Sequence, residues 1–239
     1  MRKKKVPVSF FDHLTELRSR FLQCLLGFVL GSCIFYSFID AVLDFILKPV
    51  GTVIFTSPSD AFVARMTLTL IGGFFLSLPL IIYHIWKFIA LGLREKEIRY
   101  VVIYGPLSLF CFILGAVFSY FVLLPTSLKF LLGFATKNVL PMITVEKYIS
   151  FVGTMVVAGG VTFELPLIIA FLARIGIATP EFLRQKRRYA IVIIFIVSAI
   201  ITPPDAASQL IMAVPLLVLY EAGIIMAKMV SPPLAKANH

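Results

Sequence analysis

Residues 100–123 read YVVIYGPLSLFCFILGAVFSYFVL, 24 positions without one charged side chain. As an α-helix this run extends about 36 Å at 1.5 Å per residue, and the hydrocarbon core of a bilayer is about 30 Å thick. Comparable apolar runs stand at 21–42, 66–88, 148–173 and 208–227, with a shorter one at 189–202. The full chain of 239 residues agrees, being 60% hydrophobic and 14% charged, whereas average soluble chains carry about 25% charged residues. Too few polar side chains remain to cover a globular surface. A soluble domain, a disordered tail and a secreted disulfide scaffold are thereby excluded. Cys24, Cys33 and Cys111 each lie inside an apolar run, without metal-ligand spacing, and read as small packed hydrophobes. The expected fold is an all-α polytopic membrane protein with six transmembrane helices.

Thr202-Pro203-Pro204-Asp205 separates the last two runs, because proline and the residue before it resist helix continuation. The fifth run is left with 14 residues, about 21 Å of helix, too short for an undistorted bilayer. Local thinning, or shelter behind longer neighbours, would accommodate it; one fused hairpin re-entering from the cytoplasm is the alternative. Helices five and six are both expected to be short.

Lys and Arg set the orientation. Residues 1–20, 87–99, 174–188 and 228–239 hold all but five of the 22, the exceptions being Lys48, Arg65, Lys129, Lys137 and Lys147. Basic residues concentrate in short cytoplasmic loops, so both termini are expected in the cytoplasm. Residues 1–239 then form a single six-helix bundle. Its cytoplasmic parts are 1–20, 89–99, 174–188 and 228–239, and its periplasmic loops are 43–65 and 124–147. The same bias accounts for the net charge of +10 without a nucleic-acid partner. No small-residue cleavage site follows the basic N-terminus, so a signal peptide is not expected.

Each acid within a span needs a reason, since a charge at the bilayer centre costs at least about 2.5–3.5 kcal/mol. Glu164, in Phe163-Glu164-Leu165-Pro166, is either a neutral carboxyl bonded within the bundle or a group facing a partner or substrate. Glu221 stands seven residues before Lys228 and suits a half-exposed place at the headgroups. Asp205 is placed to cap the last helix, with Gln209 beside it, and Ser57-Pro58-Ser59-Asp60 reads as a helix start. Near the N-terminus, Leu14, Leu17 and Phe21 share a helical stripe, and Glu16 with Arg20 suits an exposed i, i+4 pair. Glu97 sits in a charged loop whose bland reading is simple solvation. Gly27 and Gly31 permit close helix packing, at a spacing that is common by chance. No zinc-protease, nucleophile-elbow or phosphate-loop motif is present, so neither an enzyme, a metal nor a cofactor is expected.

In order along the chain, several pieces together resemble the TatC family, the multi-spanning subunit of the twin-arginine (Sec-independent) protein translocase. They are His13-Leu-x-Glu16-Leu-Arg18, Ser57-Pro58 with Phe62, and Phe88 with Glu97. Phe163-Glu164-Leu-Pro166, Thr202-Pro203-Pro204-Asp205 with Gln209, and Glu221 complete them. Ala90-Leu91-Gly92-Leu93 departs from it, since many relatives carry a proline after the Phe88 equivalent. The resemblance implies a receptor for folded cargo bearing a twin-arginine signal peptide, read at the cytoplasmic face by Glu16 and Glu97, with Arg18 and Phe88 shaping the site. It implies an intramembrane polar region for single-span TatA/TatB-type partners at Glu164, Glu221 and Gln209. Structural roles on the periplasmic side fall to Asp205, Pro203, Pro49, Pro58 and Phe62. Export driven by the proton-motive force, further copies of the chain in the complex and a bacterial inner-membrane location follow from the same resemblance. A proton-coupled solute transporter using Glu164 is the competing reading, against which no inverted repeat is evident.

Overall fold

The computed structural model describes residues 10–94, 97–136, 141–202 and 205–231. All regular structure among them is helical: α1 (Phe10–Tyr36), α2 (Ile39–Leu47), α3 (Pro58–Leu91), α4 (Ile98–Phe118), α5 (Leu124–Leu132), α6 (Val145–Phe163), α7 (Leu165–Arg174), α8 (Pro180–Gln185), α9 (Arg187–Ile201) and α10 (Ala206–Val230). A π-helical turn, Ser119–Leu123, joins α4 to α5, so helix runs unbroken from Ile98 to Leu132. Five described helical stretches are long and apolar enough to cross a membrane, of 23, 34, 35, 30 and 25 residues. α9, at 15 residues, spans only about 22 Å, as the prolines after it predict.

The last helix departs from expectation. α10 has 25 residues and is not short. The prolines at 203 and 204 fix only where it begins. Pro215 is accommodated inside it, as membrane helices allow, and Lys228 joins its last turn on a stem long enough to carry the charge outward. The first apolar run also divides differently. α1 ends at Tyr36, a turn follows in which the N–H of Phe38 donates to the Phe35 carbonyl, and residues 39–47 form the separate α2.

Two compact units partition the chain, residues 1–43 with 68–109 and residues 44–67 with 110–239; α3 and α4 each contribute to both. In the first unit, α1 meets α3 at glycines. A Cβ added to Gly31 would lie 2.8 Å from the Gly73 carbonyl oxygen, and one on Gly73 only 2.6 Å from the Ser32 Cα. The spacing of Gly27 and Gly31 is therefore a helix-crossing surface. Trp86 on α3 and Tyr104 on α4 lie ring against ring at 5.8 Å.

In the second unit, α4 meets α6 the same way. A Cβ on Gly115 would sit 2.7 Å from that of Phe163, and one on Gly159 would stand 3.0 Å from the Gly115 carbonyl oxygen. The end of α2 is tied down by Tyr148, whose hydroxyl donates to the Ile46 carbonyl at 2.9 Å, while Phe45 stacks on Tyr120 at 5.4 Å. α3 starts where Asp60 reaches back, its carboxylate accepting from the Thr56 N–H, the Thr56 hydroxyl and the Ser57 N–H at 2.8, 2.9 and 3.1 Å. α7 lies along α10, with Gly223 leaving room for Ile169 and Pro166.

A side chain at the α1–α3 crossing must push two backbones apart. Gly73→Val is expected to destabilise the protein by about 1–3 kcal/mol, the usual range for overpacking. Thermal unfolding in detergent reads this as a lowered Tm; an unchanged Tm would show that the helices can part there freely.

Candidate functional site

α1 carries Glu16 and Arg20 one turn apart, and their side chains form an ion pair at 2.5 Å. The pair differs from the exposed one that the spacing suggests, because the Arg20 side chain is only 6% exposed while that of Glu16 is 43% exposed. Arg20 is turned toward α3. With Leu17, Phe21 and Phe28 of α1, and with Phe74, His84 and Phe88 of α3, it lines a groove of about 400 Å³. Glu16 and Phe88 are thus associated with one groove through Arg20. Arg18 is exposed and is not part of that wall.

Glu97 has a different setting. It immediately precedes α4, and its carboxylate accepts from the Arg94 N–H at 3.0 Å, closing the turn that enters the helix. It is half-buried and does not line the groove. A carboxylate offers about four lone-pair sites, so one backbone N–H leaves acceptor capacity on Glu97, and Arg20 leaves it on the half-exposed Glu16. Each can still meet an incoming guanidinium.

The polar residues of the second unit are held apart. Glu164 stands half-buried at the break between α6 and α7, where Pro166 cannot donate to the Thr162 carbonyl. Its carboxyl is within electrostatic reach of Cys111 on α4. Gln209, at the start of α10, donates through its side-chain amide to the Phe195 carbonyl of α9 at 3.0 Å. Glu221 pairs with Arg187 at 2.6 Å, both about half exposed, a partner 34 residues away that local spacing did not suggest. Gln209 and Glu221 are twelve residues apart on one helix, about 18 Å along its axis, so they are not one cluster.

Asp205 accepts from the Ser208 N–H at 2.7 Å and caps α10. Pro58 is the first residue of α3, Phe62 is 65% exposed on it, and Pro49 is exposed after α2. Pro203 lies outside the described residues. No group of His, Cys, Asp and Glu among the described residues is arranged to hold a metal ion. Sequence reasoning passed over His84 and the burial of Arg20. The stripe of Leu14, Leu17 and Phe21 marked the face of α1 that borders the groove, but it did not include Arg20.

The family model described as Sec-independent protein translocase protein (TatC) matches residues 12–215. The chain is 37% identical over 231 residues to the Sec-independent protein translocase protein TatC of Carboxydothermus hydrogenoformans, covering 95% of each chain. To that of Aquifex aeolicus it is 38% identical, covering 91% of this chain and 94% of the other. This chain belongs to the TatC family. A crystal structure titled as the twin arginine translocase receptor TatC superposes with a TM-score of 0.83 at 38% identity, covering 91% of this chain and 99% of that one. As a TatC-family member the protein is a membrane-embedded component of a protein translocase rather than an enzyme.

Because the Arg187–Glu221 pair of this TatC chain is half exposed on both sides, Glu221→Gln is expected to cost less than about 1 kcal/mol of stability, as exposed ion pairs do. A Tm drop well beyond that would mean the pair is desolvated.

Proposed function

We propose that this protein is the receptor and core subunit of a twin-arginine translocase. It binds twin-arginine signal peptides of folded cargo at the cytoplasmic face and recruits single-span TatA/TatB-type subunits for export driven by the proton-motive force. In this reading it lies in the bacterial inner membrane with α9 as a short fifth crossing, both termini cytoplasmic, and further copies of itself in the complex. The observation that carries the reading is the pair of acids, Glu16 and Glu97. Each is engaged by one internal donor, with capacity left for a guanidinium, on a chain that belongs to the TatC family. A planar guanidinium binds a carboxylate through two parallel hydrogen bonds, which an ammonium cannot reproduce. Phe88 and Arg18 shape the site.

Photocrosslinking from probes beside Glu16 and Glu97 tests this, comparing a signal peptide with its arginine pair against one with both changed to lysine. Only the arginine peptide should crosslink. Glu97→Gln keeps an acceptor for the Arg94 N–H while removing the charge. It should weaken peptide binding about tenfold or more, the scale of one charge-assisted hydrogen bond. Equal crosslinking by both peptides would overturn the receptor reading.

Glu164 is assigned to the single-span partners. Its supports are the helix break, the proline two residues on that cannot donate to the Thr162 carbonyl, and a carboxyl that is only half-buried within the chain. Glu164→Leu should leave signal-peptide binding intact and reduce co-purification of those subunits. If the substitution only raises Tm, the carboxyl serves packing inside this chain.

A further inference from the structure

The α1–α3 groove of the first unit is polar at one end only. Its wall runs from Leu17 to Phe28 on α1 and from Phe74 to Phe88 on α3, about 16 and 21 Å of helix. Arg20 and His84, 5% and 9% exposed, meet at one end, and Leu25, Phe28 and Phe74 line the other. Glu16 takes one Arg20 nitrogen. Arg20 Nε and His84 Nδ1 are buried with no hydrogen-bond partner among the described residues. Leaving a buried polar group unpaired costs about 1–3 kcal/mol, so an oxygen delivered to this spot gains twice, from the N–H groups and from the charge.

That charge is positive. Arg20 and Lys87 both lie within electrostatic reach of His84, and Lys87 sits with its Nζ over the Tyr83 ring at 5.4 Å. Against these basic groups stands the carboxylate of Glu16, already paired with Arg20. A peptide's arginines would be repelled here, whereas an anion is attracted. The remaining wall is hydrocarbon, and its rim residues Phe21, Leu25 and Ile85 are 65%, 45% and 50% exposed. On membrane-spanning helices such a rim faces acyl chains.

We propose that this groove binds one anionic phospholipid, its phosphate accepting from Arg20 Nε–H and from His84 in the Nδ1–H form. One acyl chain then lies along Phe21, Leu25, Phe28 and Phe74. The groove shares Phe88 and the Glu16 partner Arg20 with the proposed receptor site, while neither Glu97 nor Glu164 takes part, so a signal-peptide arm in the test tells the two readings apart.

Cys24 lines the same groove and reports on it. In the full chain carrying Cys33→Ser and Cys111→Ser, Cys24 is the one remaining thiol. Its rate of maleimide alkylation is measured in maltoside micelles with added phosphatidylglycerol, phosphatidylcholine of the same chains, inorganic phosphate, or a twin-arginine signal peptide. Phosphatidylglycerol is expected to slow the reaction about tenfold when present at about ten times its Kd. Phosphatidylcholine and phosphate should leave the rate unchanged. Arg20→Gln and His84→Phe should each abolish the protection; where Arg20→Gln does not fold, His84→Phe carries the test. Equal protection by phosphatidylcholine would remove the anionic headgroup from the proposal. Protection by phosphate alone would make this a free-anion site and overturn the lipid assignment. Protection by the signal peptide with none from phosphatidylglycerol would give the groove to the peptide.

Discussion

A backbone carbonyl without a donor costs several kcal/mol where no water can reach it, and proline creates one such carbonyl four residues upstream wherever it enters a helix. This chain places Pro79, Pro106 and Pro215 inside α3, α4 and α10, and two more at helix starts that follow directly on a preceding helical segment, Pro125 in α5 and Pro166 in α7. Its architecture follows from how each is handled. Ahead of Pro125 the helix loosens into the π turn Ser119–Leu123 and keeps its direction of hydrogen bonding. Ahead of Pro166 the hydrogen-bond ladder is interrupted at Glu164, whose backbone stays near helical, with the Thr162 hydroxyl donating back to the Gly159 carbonyl at 2.9 Å. An acid stands where the ladder is already broken, so the polar cost of the break and that of the carboxyl are concentrated in one turn.

Lipid tails are as apolar as leucine, so burial alone does little to bring membrane helices together, and close packing must do it. Both units solve this with glycine on opposing helices, Gly31 against Gly73 in one and Gly115 against Gly159 in the other. Toward the end of α1 that carries Arg20 the small residues give way to Phe21 and Cys24, facing His84 and Phe88 of α3, and the groove opens between them. Its polar end and the glycine contact are consequences of one change in side-chain size along the same two helices.

Much of this was legible from residue order. Long apolar runs placed the long helices, and Pro203-Pro204 predicted that α9 would be short. The end of α1 at Tyr36 was not legible, because residues 21–42 contain no proline and no turn-forming pair at that point. The separate α2 owes its position to Tyr148 and Tyr120, more than seventy residues downstream. The length of α10 was not legible from Pro203-Pro204, which fix only where the helix begins, while Pro215 within the 208–227 run is tolerated as membrane helices allow. At the candidate site, spacing joined Glu16 to Arg20 but not the side of α1 on which they fall. Glu221 found Arg187 across two helices, a pairing that no local pattern encodes.

The unequal burial of the Glu16–Arg20 pair links the stability of the first unit to its chemistry. A guanidinium keeps its charge in any protein setting, and burying it without a counterion would be strongly destabilising. Glu16 supplies that counterion from the half-exposed side, where its remaining lone pairs stay in contact with water at little cost. The arrangement holds Arg20 in the groove wall and keeps an ionised carboxylate at the groove's edge. A second guanidinium approaching Glu16 from outside meets an acceptor already desolvated on one face and fixed in direction by Arg20, so less ordering remains to be done when it binds. Glu97 reaches a comparable state by another route, oriented by the backbone N–H of Arg94 instead of by a buried charge. Two carboxylates with separate internal anchors are thereby held as fixed acceptors, which is what the proposed recognition of an arginine pair asks of them.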